Sequence, residues 1–122
     1  MSSKAEKAAE NHRSFYSCSA SVLCAFCEEA GLTPEKAKQE ARPFAGGRMV
    51  KCGAVLAAEY VLRRRYGEEA DAKIAEFERR FAEKNRSLNC KELKGALTGQ
   101  ILRSCRGCVT DSAELLEELC GL

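Results

Sequence analysis

The chain has 122 residues, 20 of them basic and 18 acidic, for a net charge of +2. That length points to one domain over residues 1–122, large enough to close a single core without staples. The small basic excess excludes a nucleic-acid footprint, and no apolar run reaches the roughly 18 residues of a membrane span.

Eight cysteines are the anomaly. The N-terminal Met1-Ser2-Ser3-Lys4-Ala5-Glu6-Lys7 has no apolar h-region, so the expectation is no export signal and a cytoplasmic, reducing setting. There the cysteines act as thiols, metal ligands or redox groups. Export by another route would instead allow about 105 disulfide pairings, with no basis for choosing among them.

Taken in order, the chain opens with a charged lead-in over residues 1–13, whose stretch from residue 3 can be helical but is expected to bury little, with His12 a solvated surface residue. A first helix is expected from Ser14 to Ala30, with Phe15, Cys18, Val22 and Phe26 as its apolar stripe and Gly31 closing it. Thr33-Pro34 opens a shorter helix, which must end before Pro43. A glycine turn, Gly46-Gly47, leads into a third helix, Val50–Tyr66, whose Val50, Ala54, Ala57, Ala58 and Val61 form a small-residue face. Arg63-Arg64-Arg65 reads as a solvated helix end favoured by the dipole rather than a phosphate site, and Gly67 stops the helix.

A fourth helix over Glu68–Glu83 places Ile74, Phe77 and Phe81 on one side. Asn89-Cys90-Lys91-Glu92 reads as a capping box opening a short helical turn. The last helix carries Leu115, Leu116 and Leu119 and starts at Ser104 or, alternatively, at Asp111. Cys120, two residues from the end, reads as a frayed passenger. No segment alternates with period two, so the fold class is all-α, a single compact bundle of five or six helices.

The chemistry centres on Cys52. It falls near the start of the third helix, where unpaired N–H groups and the macrodipole favour negative charge, with Arg48 and Lys51 close by. A thiol so placed can drop from a pKa of roughly 8.5 into a range of about 3.5–7.5, and the thiolate is the form that attacks disulfides and binds metals. Two Cys-x-x-Cys pairs, Cys24/Cys27 and Cys105/Cys108, have the spacing of a dithiol couple or half a metal site. On a continuous helix, at about 100° per residue, Cys24 and Cys27 point roughly 120–180° away from Cys18 and cannot share a site with it. The bland reading of both is small boundary hydrophobes.

Four stretches in order carry a resemblance. Ser17-Cys18-Ser19-Ala20-Ser21-Val22-Leu23 runs into Glu28-Glu29-Ala30-Gly31-Leu32. Phe44-Ala45-Gly46-Gly47 precedes Cys52-Gly53-Ala54-Val55. Asn89-Cys90-Lys91-Glu92-Leu93 has Gly95 after it, and Cys105-Arg106-Gly107-Cys108-Val109 leads into Ala113-Glu114-Leu115-Leu116. Over residues 14–119 the chain resembles the C-GCAxxG-C-C family of putative redox-active proteins, small helical proteins with four characteristic cysteines. The signature's last glycine is Ala57 here, which would slightly widen a helix contact. The resemblance implies a redox role, with electron transfer as one form of it, since related domains occur in multi-centre cytochromes. Covalent c-type haem is not supported, because the chain has no Cys-x-x-Cys-His.

Three readings follow. In the first, Cys18, Cys52, Cys90 and Cys105, with Cys108 as the alternative to Cys105, converge as ligands of an iron–sulfur cluster or a zinc ion, their charge offset by Arg48, Lys51 and Lys91. In the second, no metal is held: the same four are redox thiols, Cys52 attacking and Cys18 or Cys90 resolving. In the third, the chain is a helical structural or interaction protein whose cysteines only pack. The favoured expectation is a cysteine-based redox or metal-binding protein that serves as an oxidoreductase component beside a redox partner protein. No small-molecule catalysis of its own is evident, and a homodimer is allowed.

Overall fold

Alanines at helical spacing set the first element. The computed structural model describes residues 3–47, 51–93, 95, 99 and 101–121. Helix α1 spans Ser3–Arg13 and lies along the C-terminal helix α7, Cys105–Cys120. Ala5 and Ala8 are fully buried and Ala9 nearly so, because methyl-sized side chains let the two helix axes approach closely. The Ala5 amide, one of the helix's unpaired N-terminal donors, is accepted by Glu117 Oε1 of α7 at 2.8 Å. The lead-in expected to bury little is therefore a structural helix, and His12 is half-buried rather than solvated.

The helix expected over Ser14–Ala30 is shorter. Helix α2 runs Cys18–Ala25, with Ser17 as N-cap accepting from the Ala20 amide at 3.2 Å, and residues 26–31 continue as turns. Phe15 is not on the buried stripe: it has φ +72° and is 98% exposed. The amides of Ser14 and Tyr16 bond back to α1 carbonyls, and this left-handed exit turns the ring to solvent. Cys18, Val22 and Phe26 are buried as expected.

Helix α3, Pro34–Ala41, starts where Thr33-Pro34 places it, with Thr33 Oγ1 accepting from Lys36 at 3.2 Å, and passes into a 3₁₀ turn over Arg42–Gly47. Helix α4 is Gly53–Tyr66, later than the start expected at Val50, because Lys51 is held in a bridge to Asn89 and Cys52 is the N-cap; Arg48 and Val50 themselves lie outside the described residues. Its Ala54, Ala57, Ala58 and Val61 are fully buried, so the alanine that replaces the signature glycine sits within the core. Gly67 ends α4 at φ +58°, and Arg63, Arg64 and Arg65 are exposed. Helix α5, Ala70–Asn85, buries Ile74, Phe77 and Phe81.

A single turn, α6, covers Cys90–Leu93. Helix α7 starts at Ser104, whose Oγ accepts from the Gly107 amide at 3.0 Å; Asp111 is a buried residue inside the helix and not its cap. Cys120 is 6% exposed and belongs to the core, so it is not frayed. Tyr66 and Lys73 both donate to the Leu119 carbonyl and pin that last turn.

The result is the expected all-α bundle. Among the described residues there is no strand beyond one antiparallel bridge, Lys51 to Asn89, and no helix is long and apolar enough to cross a membrane. Helix α2 packs on α1 and α4, and α7 touches α1, α2, α4 and α5. Ser112 on α7 donates to the Ala54 carbonyl at 2.8 Å and fixes α7 against the start of α4.

Candidate functional site

Local capping chemistry places four cysteines at helix starts. Cys18 follows the N-cap Ser17, Cys52 is itself the N-cap of α4, Cys90 opens α6, and Cys105 follows the N-cap Ser104. The tertiary fold then brings these starts together. The Lys51–Asn89 bridge and the bond from the Cys52 amide to the Leu88 carbonyl, 2.7 Å, tie the approach to α4 to the approach to α6. Gly53 lets α2 come close: a Cβ there would lie 2.6 Å from Cys18 Sγ and 2.7 Å from the Phe44 carbonyl oxygen.

One cavity of about 10 Å³ lies at this meeting point, lined by Cys18, Cys52, Cys90, Cys105 and Cys108 together with Leu93 and Arg103. That volume is close to the minimum that holds one water molecule. All four cysteines singled out from the sequence therefore face one space, and so does Cys108. Cys24 does not: it lines a separate groove with Tyr16 and Lys38, and its thiol is raised, first by burial and then by Cys27 nearby.

The thiols in the cavity are not equivalent. Cys52 is held below the usual thiol range, first by a hydrogen bond from the Cys108 thiol, then by the α4 amides of Ala54 and Val55; burial and the neighbouring Cys18 oppose this. Cys108 is pushed well above it, first by donating that bond, then by burial and by the negative charges of Cys52, Cys105 and Asp111. Of the two, Cys52 is the more readily ionised and Cys108 the one that keeps its proton. The redox-thiol expectation instead pairs Cys52 with Cys18 or Cys90. The pairing with Cys108 spans 56 positions, and no local pattern signals it.

A positive wall completes the site. Arg103 Nε and Nη2 donate to the two Asp111 carboxylate oxygens at 3.0 and 3.2 Å, and Lys84 reaches Oδ1 at 3.1 Å. Asp111 is 2% exposed, so this two-point pair fixes the guanidinium at the cavity wall.

The profile of the family described as "Putative redox-active protein (C_GCAxxG_C_C)" matches residues 16–119. The chain belongs to that family. Comparison with curated proteins and with solved structures returned no match. The family match spans every cysteine that lines the cavity, so the member's shared segment and its sulfur cluster coincide.

As donors, these cysteines are the soft ligands that select zinc, copper(I) or iron–sulfur centres. Their placement is less suited to that. Among the described residues no three Cys, His, Asp or Glu side chains stand close enough to share an ion. The water-sized cavity would have to contract around one ion or expand around a cluster.

Proposed function

We propose that this chain is a thiol-based redox protein whose working pair is Cys52 and Cys108. The observation that carries the reading is geometric: Cys52 at the N-terminus of α4 and Cys108 on α7, 5 and 2% exposed, line one small cavity. Oxidation removes two electrons and the Cys108 proton and joins the two sulfurs. With a disulfide as oxidant, a thiolate attacks, a mixed disulfide forms, and the second thiol displaces the remaining half, so that two thiols leave. The natural counterpart is a redox partner protein. Alkylation of the reduced protein against pH, followed at Cys52 by mass spectrometry, tests the reading. The expected rate inflects below the ordinary thiol range and is absent in Cys52→Ser; an inflection only at free-cysteine values removes the activated thiolate.

A second reading is favoured by the convergence of four helix starts on five sulfurs. Cys18, Cys52, Cys90 and Cys105, or Cys108 in place of Cys105, would hold a zinc ion or an iron–sulfur cluster, which would supply charge stabilisation or one-electron transfer. The helix termini and Arg103 would offset the thiolate charge. Anaerobically prepared protein that is brown and carries iron and sulfide, or colourless with stoichiometric zinc, supports this reading over the first. Metal-free protein with free thiols overturns it.

A further inference from the structure

The five cysteines around the cavity differ in one respect that bears on how a partner reaches them. Cys18, Cys52, Cys90 and Cys108 are 7, 5, 8 and 2% exposed, whereas Cys105 is only half-buried. A disulfide carried on a protein or peptide cannot bring its sulfur to Cys52 through a cavity the size of one water molecule. Cys105 sits one helical turn before Cys108 on α7, and residues three apart on a helix face the same side.

We infer that Cys105 is the outer thiol of a relay, where the disulfide of a protein or peptide partner is met before the exchange passes inward. This rests on the redox reading above and names its substrate class and point of contact. The steps balance by thiol–disulfide exchange throughout. Cys105 sulfur attacks the partner disulfide RS–SR, giving a Cys105–S–SR mixed disulfide and one RSH, which carries the Cys105 proton. Cys108, its proton passing to Cys52 and on to the leaving sulfur, then attacks Cys105 Sγ, forming Cys105–Cys108 and releasing the second RSH. Finally the Cys52 thiolate attacks Cys108 Sγ, leaving the buried Cys52–Cys108 disulfide and returning Cys105 as a thiolate that takes a proton from water. Each step breaks one S–S bond and makes one.

The test compares two oxidants on the full chain, glutathione disulfide and hydrogen peroxide, with formation of the Cys52–Cys108 bond timed by peptide mapping. Peroxide is small enough to reach the pair without an outer thiol. In Cys105→Ser the ratio of the glutathione-disulfide rate to the peroxide rate should fall by about tenfold or more. In Cys108→Ser, glutathione should be trapped on Cys105. An unchanged ratio, or glutathione trapped on Cys52, overturns the relay while leaving the redox pair standing. A wild-type chain that forms no Cys52–Cys108 bond with either oxidant overturns the pair itself, and the relay with it.

Discussion

Arg103 occupies the space that a side chain at Gly107 would need. A Cβ on Gly107 would lie 2.4 Å from Arg103 Nε and 2.6 Å from Cζ, while the guanidinium is held on the other side by Asp111. Gly107 is in the first turn of α7, where alanine would ordinarily favour the helix by up to about 1 kcal/mol. Gly107→Ala should do the opposite. It displaces Arg103, loosens its grip on a carboxylate that is 2% exposed, and should cost about 1–2 kcal/mol net. Urea titration reads the sign directly; a gain in stability would show that Arg103 can give way freely.

Gly53 presents a harder obstacle. The Cβ of an alanine there would press on Cys18 Sγ and also on the Phe44 carbonyl, which is backbone and cannot rotate aside. Gly53→Ala should cost about 2–3 kcal/mol or more, as overpacking in a closed core does. It should also speed alkylation of Cys18 and Cys52 by forcing α2 and α4 apart. Adding Cys18→Ala removes only the sulfur half of the clash, so the double variant should recover part of the loss. Full recovery would mean that the Phe44 contact relaxes at little cost.

Much of the site was legible because its parts are local. Ser17, Asn89 and Ser104 each directly precede a cysteine, and each is a helix-capping residue type. Asn89 and Ser104 put Cys90 and Cys105 at helix starts, and the run after Gly46-Gly47 does the same for Cys52; Cys18 is expected inside a helix from Ser14, and the left-handed turn at Phe15 is what leaves Ser17 as its cap. What was not legible is what depends on distant partners. Cys108 reads as the neighbour of Cys105 in a Cys-x-x-Cys pair and as its alternative in the site, and only the packing of α7 against the start of α4, fixed by Ser112 on the Ala54 carbonyl, brings it to the cavity beside Cys52. Helix α1 was underrated because its buried face is alanine, which carries little hydropathy signal among lysines and glutamates, and its N-terminal partner Glu117 lies 112 positions away. Phe15 has an apolar side chain at helical spacing, and only the left-handed turn after α1 excludes it from the core.

The ionisation of Cys52 depends first on its neighbour across the cavity. Removing the donor with Cys108→Ala should raise the Cys52 pKa towards the ordinary thiol value, leaving only the Ala54 and Val55 amides to stabilise the thiolate. Helix-terminus effects alone are worth about 0.3–1 kcal/mol, less than one pKa unit, so most of the depression should vanish. Ultraviolet thiolate absorbance across a pH series measures this. If the inflection stays where it was, the helix amides dominate and the thiol pair is incidental to the charge.

A second titrating cluster lies beside the site. Glu59 on α4 is 2% exposed, receives Lys51 Nζ at 3.2 Å, and faces Glu78 of α5, which Lys51 also contacts; Arg63 adds positive charge. Burial, and then the bond it donates to Glu78, push Glu59 up to about 7 from an ordinary 4.5. Glu78 moves the other way, held down first by that same bond from Glu59. For Glu59, both folded and unfolded chains are protonated at pH values below the ordinary value, and only the folded chain stays protonated between there and 7. Its contribution to stability is therefore full at low pH and is lost as pH rises through 7. Glu78 contributes above its ordinary pKa and loses that contribution only in acid, so it does not cancel the loss between pH 5 and 8. Glu59→Gln imitates the protonated form at every pH. Its melting temperature should match the wild type near pH 5 and exceed it near pH 8 by roughly 3–6 °C for each kcal/mol recovered. A gap that stays constant across that range would mean Glu59 is already ionised in the fold, with Lys51 rather than Glu78 setting its charge.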